Sequence, residues 1–143
     1  YATALFYMTQ NSKAELRKSI FKNNKAYTYG MIYVTGSSNL LCDECTFLNN
    51  TVVMDSSIIY ADNNPNGFIT LNNSYFENNN STSNMMSLVS TLTRIENTIF
   101  LDNFSELINN GITVTNSDIY LHNVIVNYTS LEFMSHKGYD IDT

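Results

Sequence analysis

The chain repeats one phrase four times. "SIFKNN" at 19–24, "CTFLNN" at 45–50, "SYFENN" at 74–79 and "TIFLDN" at 98–103 each place an Asn three residues after a Phe. A phrase that returns at long, similar intervals restricts a fold strongly, because every copy must occupy an equivalent place. Aligned on that Phe, Phe21, Phe47, Phe76 and Phe100 form a series that Val126 extends, at intervals of 26, 29, 24 and 26 residues. Asn24, Asn50, Asn79 and Asn103 follow as a second series, which Thr129 closes.

Shorter patterns recur in step with the anchors. An alternating inward pair precedes each one: Ala14 and Leu16, Leu40 and Cys42, Ile69 and Leu71, Thr93 and Ile95, Ile119 and Leu121. A small residue falls two places before the anchor in Ser19, Cys45, Ser74 and Thr98. A further apolar run follows each Phe anchor at "MIYV" (31–34), "IIY" (58–60), "SLV" (87–89) and "ITV" (112–114). In a strand, residues two apart share a face. Ile69 and Leu71 therefore share one face, as do Ser74 and Phe76, but the parity slips between them, so the chain turns a corner at Asn72–Asn73.

Each unit of 24–29 residues is thus a coil of short strands joined by corners. One coil cannot bury its own inner face, whereas stacked coils bury a continuous column. Inward Phe stacks on Phe, and corner Asn bonds to corner Asn from coil to coil. The expectation is an all-β parallel β-helix of about five to six coils, forming a single domain over 1–143. Residues 1–13 read as a partial coil or cap and 130–143 as a tail. A β-sandwich, with strands every 8–12 residues or so, does not return the same residue types at this longer period. "AELRKSIFK" is also compatible with a short capping helix, since Ala, Glu, Leu, Arg and Lys are good helix formers.

The four Phe-x-x-Asn phrases resemble the repeats of right-handed parallel β-helices of the polymorphic outer-membrane and pectin-lyase-like type, over roughly residues 14–129. That resemblance implies the same solenoid fold. Because such folds often hold polysaccharide-cleaving enzymes, it also raises the question of a catalytic site.

Converging carboxylates would mark such a site. The alignment instead sets Glu77 beside Leu48 and Leu101, and Glu44 beside Asn73, Asn97 and Asn123. Arg94 gains no basic neighbour. No pattern asks for a cofactor, and zinc would need two ligands beyond Cys42 and Cys45. "CDEC" places both cysteines inward across a corner, either as two small buried residues or as a local disulfide. His122 and His136 read as surface residues.

Charged residues are only 14% of the chain, and 22 Asn, 15 Ser and 15 Thr take their place. A net charge of −6 disfavours general nucleic-acid binding. No apolar run approaches the roughly 18 residues of a membrane span. Six N-x-[ST] sequons occur, at Asn49, Asn72, Asn79, Asn80, Asn103 and Asn127. Asn79 and Asn103 belong to the inward ladder, so Asn49, Asn72, Asn80 and Asn127 are the better glycan acceptors.

Residues 13–25 carry a local charge of +4, with Arg17, Lys18 and Lys22 among the cations. Asp118, Glu132, Asp140 and Asp142 make the other end acidic. Open β-helix ends present unpaired backbone groups. Contacts that run head to tail without closing a ring build a filament. The functional expectation is therefore a structural subunit of an extracellular or cell-surface filament whose partner is another copy of itself, with attached or bound glycans. The alternatives are a stalk or passenger segment of a larger surface adhesin, and a carbohydrate-binding or carbohydrate-cleaving β-helix.

Overall fold

The computed structural model describes residues 4–54, 56–105 and 111–127, together with the backbone of strands 131–134 and 138–142. The first coil comprises β1 (Phe6–Met8), β2 (Lys13–Arg17), β3 (Ile20–Lys22) and β4 (Lys25–Ala26). The second comprises β5 (Ile32–Val34), β6 (Asn39–Asp43), β7 (Thr46–Leu48) and β8 (Thr51–Val52). The third is β9 (Ile59–Ala61), β10 (Phe68–Asn72), β11 (Tyr75–Glu77) and β12 (Asn80–Ser81). The fourth is β13 (Met86–Val89), β14 (Leu92–Glu96), β15 (Ile99–Leu101) and β16 (Phe104–Ser105). Then follow β17 (Ile112–Thr115), β18 (Asp118–His122), β19 (Ile125–Asn127), β20 (Leu131–Met134) and β21 (Gly138–Asp142).

Every strand pairs in parallel with its counterpart one coil away, so the fold is an all-β parallel solenoid with four sheets. Sheet A runs β1-β5-β9-β13-β17-β20 and sheet B runs β2-β6-β10-β14-β18-β21. Sheet C holds β3, β7, β11, β15 and β19, and sheet D holds β4, β8, β12 and β16. The Phe anchors pair with one another in register, as do the inward pairs from Ala14–Leu16 to Ile119–Leu121. The segment 14–22, which also suited a helix, forms β2 and β3. Ladder bonds to β6 and β7 outweigh its local helix propensity, which is a weak prior.

The end segments also join the solenoid. β1 pairs with β5 at one edge of sheet A. The expected tail instead contributes two strands, β20 paired with β17 and β21 with β18. The repeat shortens there, which hides it. Partners in sheet A are 27 residues apart from Ile59 to Met86 and 26 from Met86 to Ile112, but only 19 from Ile112 to Leu131. Among the described residues, sheet C therefore stops at the fifth coil and sheet D at the fourth, so the complete coils number four.

The corners explain the asparagines. Left-handed backbone occurs at Ser37, Asn63, Ser90 and Asn116 on one corner and at Lys18, Glu44, Asn73, Asn97 and Asn123 on the next. A third corner has it at Asn23, Asn49, Asn78 and Asp102. Asn tolerates this region better than most residues do. The interior is an apolar column of Ile, Leu, Met, Val and Phe, with Phe47, Phe76 and Phe100 fully buried. Burying one such side chain contributes about 1.5–3 kcal/mol.

Candidate functional site

Three corner ladders hold the coils in register. In the first, the Asn50 backbone N–H and its Nδ2 both donate to Oδ1 of Asn79, at 3.0 and 2.9 Å. Asn24 donates to Asn50 and Asn79 to Asn103 in the same way. Each Nδ2 also donates backwards to a Phe carbonyl: Asn50 to Phe21, Asn79 to Phe47 and Asn103 to Phe76. A second ladder links Cys45 N–H to Ser74 Oγ and Ser74 N–H to Thr98 Oγ1. The third passes from Ser12 to Ser38, Asn64, Thr91 and Ser117. Its mixed residue types conceal it in the sequence, although Ser12, Ser38, Asn64, Thr91 and Ser117 recur at intervals close to one repeat.

At the first coil these ladders end open. Phe21 stacks on Phe47 at 4.7 Å and 3°, and its ring is only half-buried. Among the described residues nothing donates to Oδ1 of Asn24, and its Nδ2 has no Phe carbonyl behind it. Ile20 beside it is 71% exposed. This coil is also the basic one, but two of its expected assembly cations are engaged inside the molecule. Arg17 pairs with Asp43 at 3.0 Å and Glu15 at 3.4 Å, and Lys18 with Glu44 at 3.7 Å. Lys13 also pairs with Glu15, at 3.0 Å. Lys22 has no ion pair among the described residues, and Lys25 lies 5.6 Å from the Tyr27 ring centroid.

The opposite end is stepped. Val126 stands in register with Phe100, as the repeat requires, yet it is 37% exposed and not part of the buried stack, because among the described residues no sixth strand covers β19. Asp118 is not on the end strand either: β21 lies over β18, with Asp118 opposite Gly138. Glu132 falls on β20, and Asp140 and Asp142 on β21, which are the last strands of sheets A and B.

Cys42 and Cys45 are free, buried thiols and form no disulfide. Cys45 Sγ lies 3.3 Å from the Leu16 carbonyl. Interaction with Cys42 holds the Cys45 thiol below its ordinary pKa, whereas interaction with Cys45 and burial push the Cys42 thiol up. The pair occupies the places of Leu71 and Ser74 one coil on, as parity at the corner demands.

On the outer face of sheet B, Phe68, Thr70, Leu92, Arg94 and Tyr120 line a shallow cleft of about 430 Å³. Arg94 is held by Glu96 at 2.6 Å and lies 4.9 Å from the Tyr120 ring centroid. That hydrogen bond keeps the Glu96 carboxyl below its ordinary range. Half-buried His122 is in register with Glu96. Among the described residues no three His, Cys, Asp or Glu side chains gather as a metal site.

Of the glycan acceptors, Asn49, Asn80 and Asn127 are exposed, whereas Asn72 is half-buried and its Nδ2 donates to Asp43 at 3.2 Å. Asn79 and Asn103 are buried in the ladder. The outer row Tyr75, Ile99 and Ile125 is in register and mainly aliphatic. A different outer row, Tyr7, Tyr33 and Tyr60, is aromatic. Its one-repeat spacing was the signal for it in the sequence.

The chain matches no protein-family model, no curated protein and no solved structure.

Proposed function

We propose that this protein is a structural subunit of an extracellular or cell-surface filament, in which copies stack head to tail through their solenoid ends. The observation that carries this reading is the open first coil. The Phe21 ring face, the one-sided Asn24 amide and the edges of β1 to β4, uncovered among the described residues, form a template for another coil. Continued sheet hydrogen bonds and continued apolar stacking would both favour occupancy. The junction runs through the two six-stranded sheets, with β1 and β2 of one copy adding to β20 and β21 of the next. In unbroken register this brings Arg17 opposite Asp142. Sugars on Asn49, Asn80 and Asn127 would discourage lateral association. The likeness to right-handed Phe-x-x-Asn β-helices belongs to the same proposal.

Electron microscopy of the purified chain at moderate salt tests it. Six strands per copy in each of sheets A and B, ~4.8 Å apart, predict thin fibres with an axial repeat of roughly 25–30 Å, and Arg17→Glu should shorten or abolish them. Discrete particles at every salt concentration would reject the filament.

A second reading, a stalk segment within a longer surface protein, is favoured by the stepped end. Among the described residues sheets C and D stop short there, so a second copy docking on sheets A and B would leave strand positions unfilled. In that case the open first coil would be occupied by coils of the same chain.

A further inference from the structure

The outer face of sheet A carries a feature that the coil itself does not require. Tyr7, Tyr33 and Tyr60 occupy one register position in three successive coils, and Ser87 and Thr113 occupy it in the next two. Tyr29 joins the row from the connection before β5. Its ring is 4.7 Å from Tyr33 at 17° and 6.4 Å from Tyr60. Tyr33 is 5.0 Å from Tyr7 and 5.3 Å from Tyr60. A sugar ring needs a free aromatic face to stack on, and the inner faces of this row lie largely against one another. What the row presents outward is edges and phenolic oxygens, so its available chemistry is that of phenols.

We infer that Tyr29 and Tyr33 form the site of an oxidative dityrosine cross-link. The co-reactant is hydrogen peroxide acting through a haem peroxidase. Each phenol gives up one electron and one proton, leaving a phenoxyl radical with spin on the carbons ortho to oxygen. The peroxide O–O bond breaks as it takes both electrons and both protons, yielding two waters. The radicals join through a new ortho carbon–carbon bond, and the ring hydrogens at that bond move to the oxygens to restore both phenols. The net loss is two hydrogen atoms.

The geometry selects this pair. Tyr29–Tyr33 has the shortest separation in the row, and Tyr29 stands on a connection rather than a strand, so its ring can tilt toward a biaryl. Tyr33 and Tyr60 are both held at sheet spacing. Tyr33 is 8% exposed, beyond reach of an enzyme, but Tyr7 at 53% and Tyr29 at 39% are open to oxidation. Ring contact then passes the oxidation inward. The bond would tie the connection between the first and second coils to sheet A, whether or not copies stack end to end.

The test treats the dilute full chain with a haem peroxidase and peroxide, then cleaves after Met with cyanogen bromide. Met8, Met31 and Met54 place Tyr29 in fragment 9–31 and Tyr33 in fragment 32–54. The expected product is a fluorescent monomer lighter by two hydrogens, in which those two fragments remain joined. Tyr29→Phe, which keeps the ring stack, should abolish the joined pair, and Tyr75→Phe should not. The inference is overturned by fragment 32–54 joined to 1–8 or 55–85 instead, by cross-links only between molecules, by persistence of the joined pair in Tyr29→Phe, or by no coupling where free tyrosine couples.

Discussion

Oδ1 of Asn79 accepts two hydrogen bonds from Asn50, one from its backbone at 3.0 Å and one from its side chain at 2.9 Å. The same amide donates to Oδ1 of Asn103 and to the Phe47 carbonyl. One buried side chain thus satisfies polar groups in both flanking coils. Asn79→Ala should leave the Asn50 N–H unpaired, and each such buried group costs about 1–3 kcal/mol. Asn79→Asp keeps the oxygens but loses both Nδ2 donations and sets a charge against carbonyl oxygens, so it should destabilise at least as much. Asn24→Ala, at the open end, should cost less. Urea unfolding of the three variants gives the ranking, and equal costs for Asn24 and Asn79 would refute the ladder account.

Phe76 is stacked between Phe47 at 4.4 Å and Phe100 at 4.7 Å and is fully buried. Phe76→Ala should cost about 3–5 kcal/mol, the range for emptying a large aromatic site in a core. Phe21→Ala removes a half-buried ring stacked on one side only and should cost well under half of that. Thermal or denaturant midpoints compare the two directly.

The parts legible in the sequence were those where one residue type does one job in every coil. Phe47 and Asn50 recur because a stacked ring and a chained amide each need a like neighbour above and below. The sheet B strand of each coil was legible through inward pairs such as Ile69 and Leu71. Sheet D was not, since a strand as short as Lys25–Ala26 has no periodicity to detect. The third ladder escaped because a serine hydroxyl, a threonine hydroxyl and an asparagine amide all meet its hydrogen-bond requirement. Leu131–Met134 and Gly138–Asp142 were not legible as strands, because the sheet A partners there stand only 19 residues apart where the preceding coil has 26. Arg17 and Lys18 read as an open basic end until cross-coil pairing set Asp43 and Glu44 beside them.

Thr93 occupies the inward position held by Ile69 and Ile119 in the flanking coils, and its hydroxyl is buried without a hydrogen-bond partner. Thr93→Val replaces that hydroxyl with a methyl of similar size. Removal of the unpaired group should stabilise the fold by about 1 kcal/mol. A lower unfolding midpoint for Thr93→Val would mean that the hydroxyl has a partner after all.

Cys45 and Cys42 should respond differently to the same change. Cys45 lies in a row whose next members, Ser74 and Thr98, accept N–H donors through hydroxyls. Cys45→Ser should therefore change stability by less than about 1 kcal/mol, the size of one ordinary hydrogen bond. Cys42 faces Leu16 and Leu71 in the apolar column, where an added hydroxyl is harder to satisfy, so Cys42→Ser should cost about 1–3 kcal/mol. Both thiols should resist an aromatic disulfide reagent until the chain is unfolded. Rapid labelling of the folded protein would contradict their burial.

Acid should weaken the fold through two surface carboxylates. Lys13 and then Arg17 hold the Glu15 carboxyl below its ordinary 4.5, and Arg94 does the same for Glu96. A depressed carboxyl in the folded state contributes stability that is present above the unfolded value and lost as pH falls through the folded one. Stability should therefore decline below about pH 4.5, and only modestly, since exposed ion pairs are screened by solvent and salt. Arg94→Ala should change the neutral-pH midpoint little, but it should flatten the acid limb, because Glu96 then titrates at nearly the same pH folded and unfolded. The check is a series of thermal midpoints from pH 7 to pH 3 for both proteins, measured at low salt and repeated at high salt. An acid limb as steep in Arg94→Ala as in the parent would assign the loss to other carboxylates. A limb that is flatter at low salt and alike for both proteins at high salt would tie it to this pair.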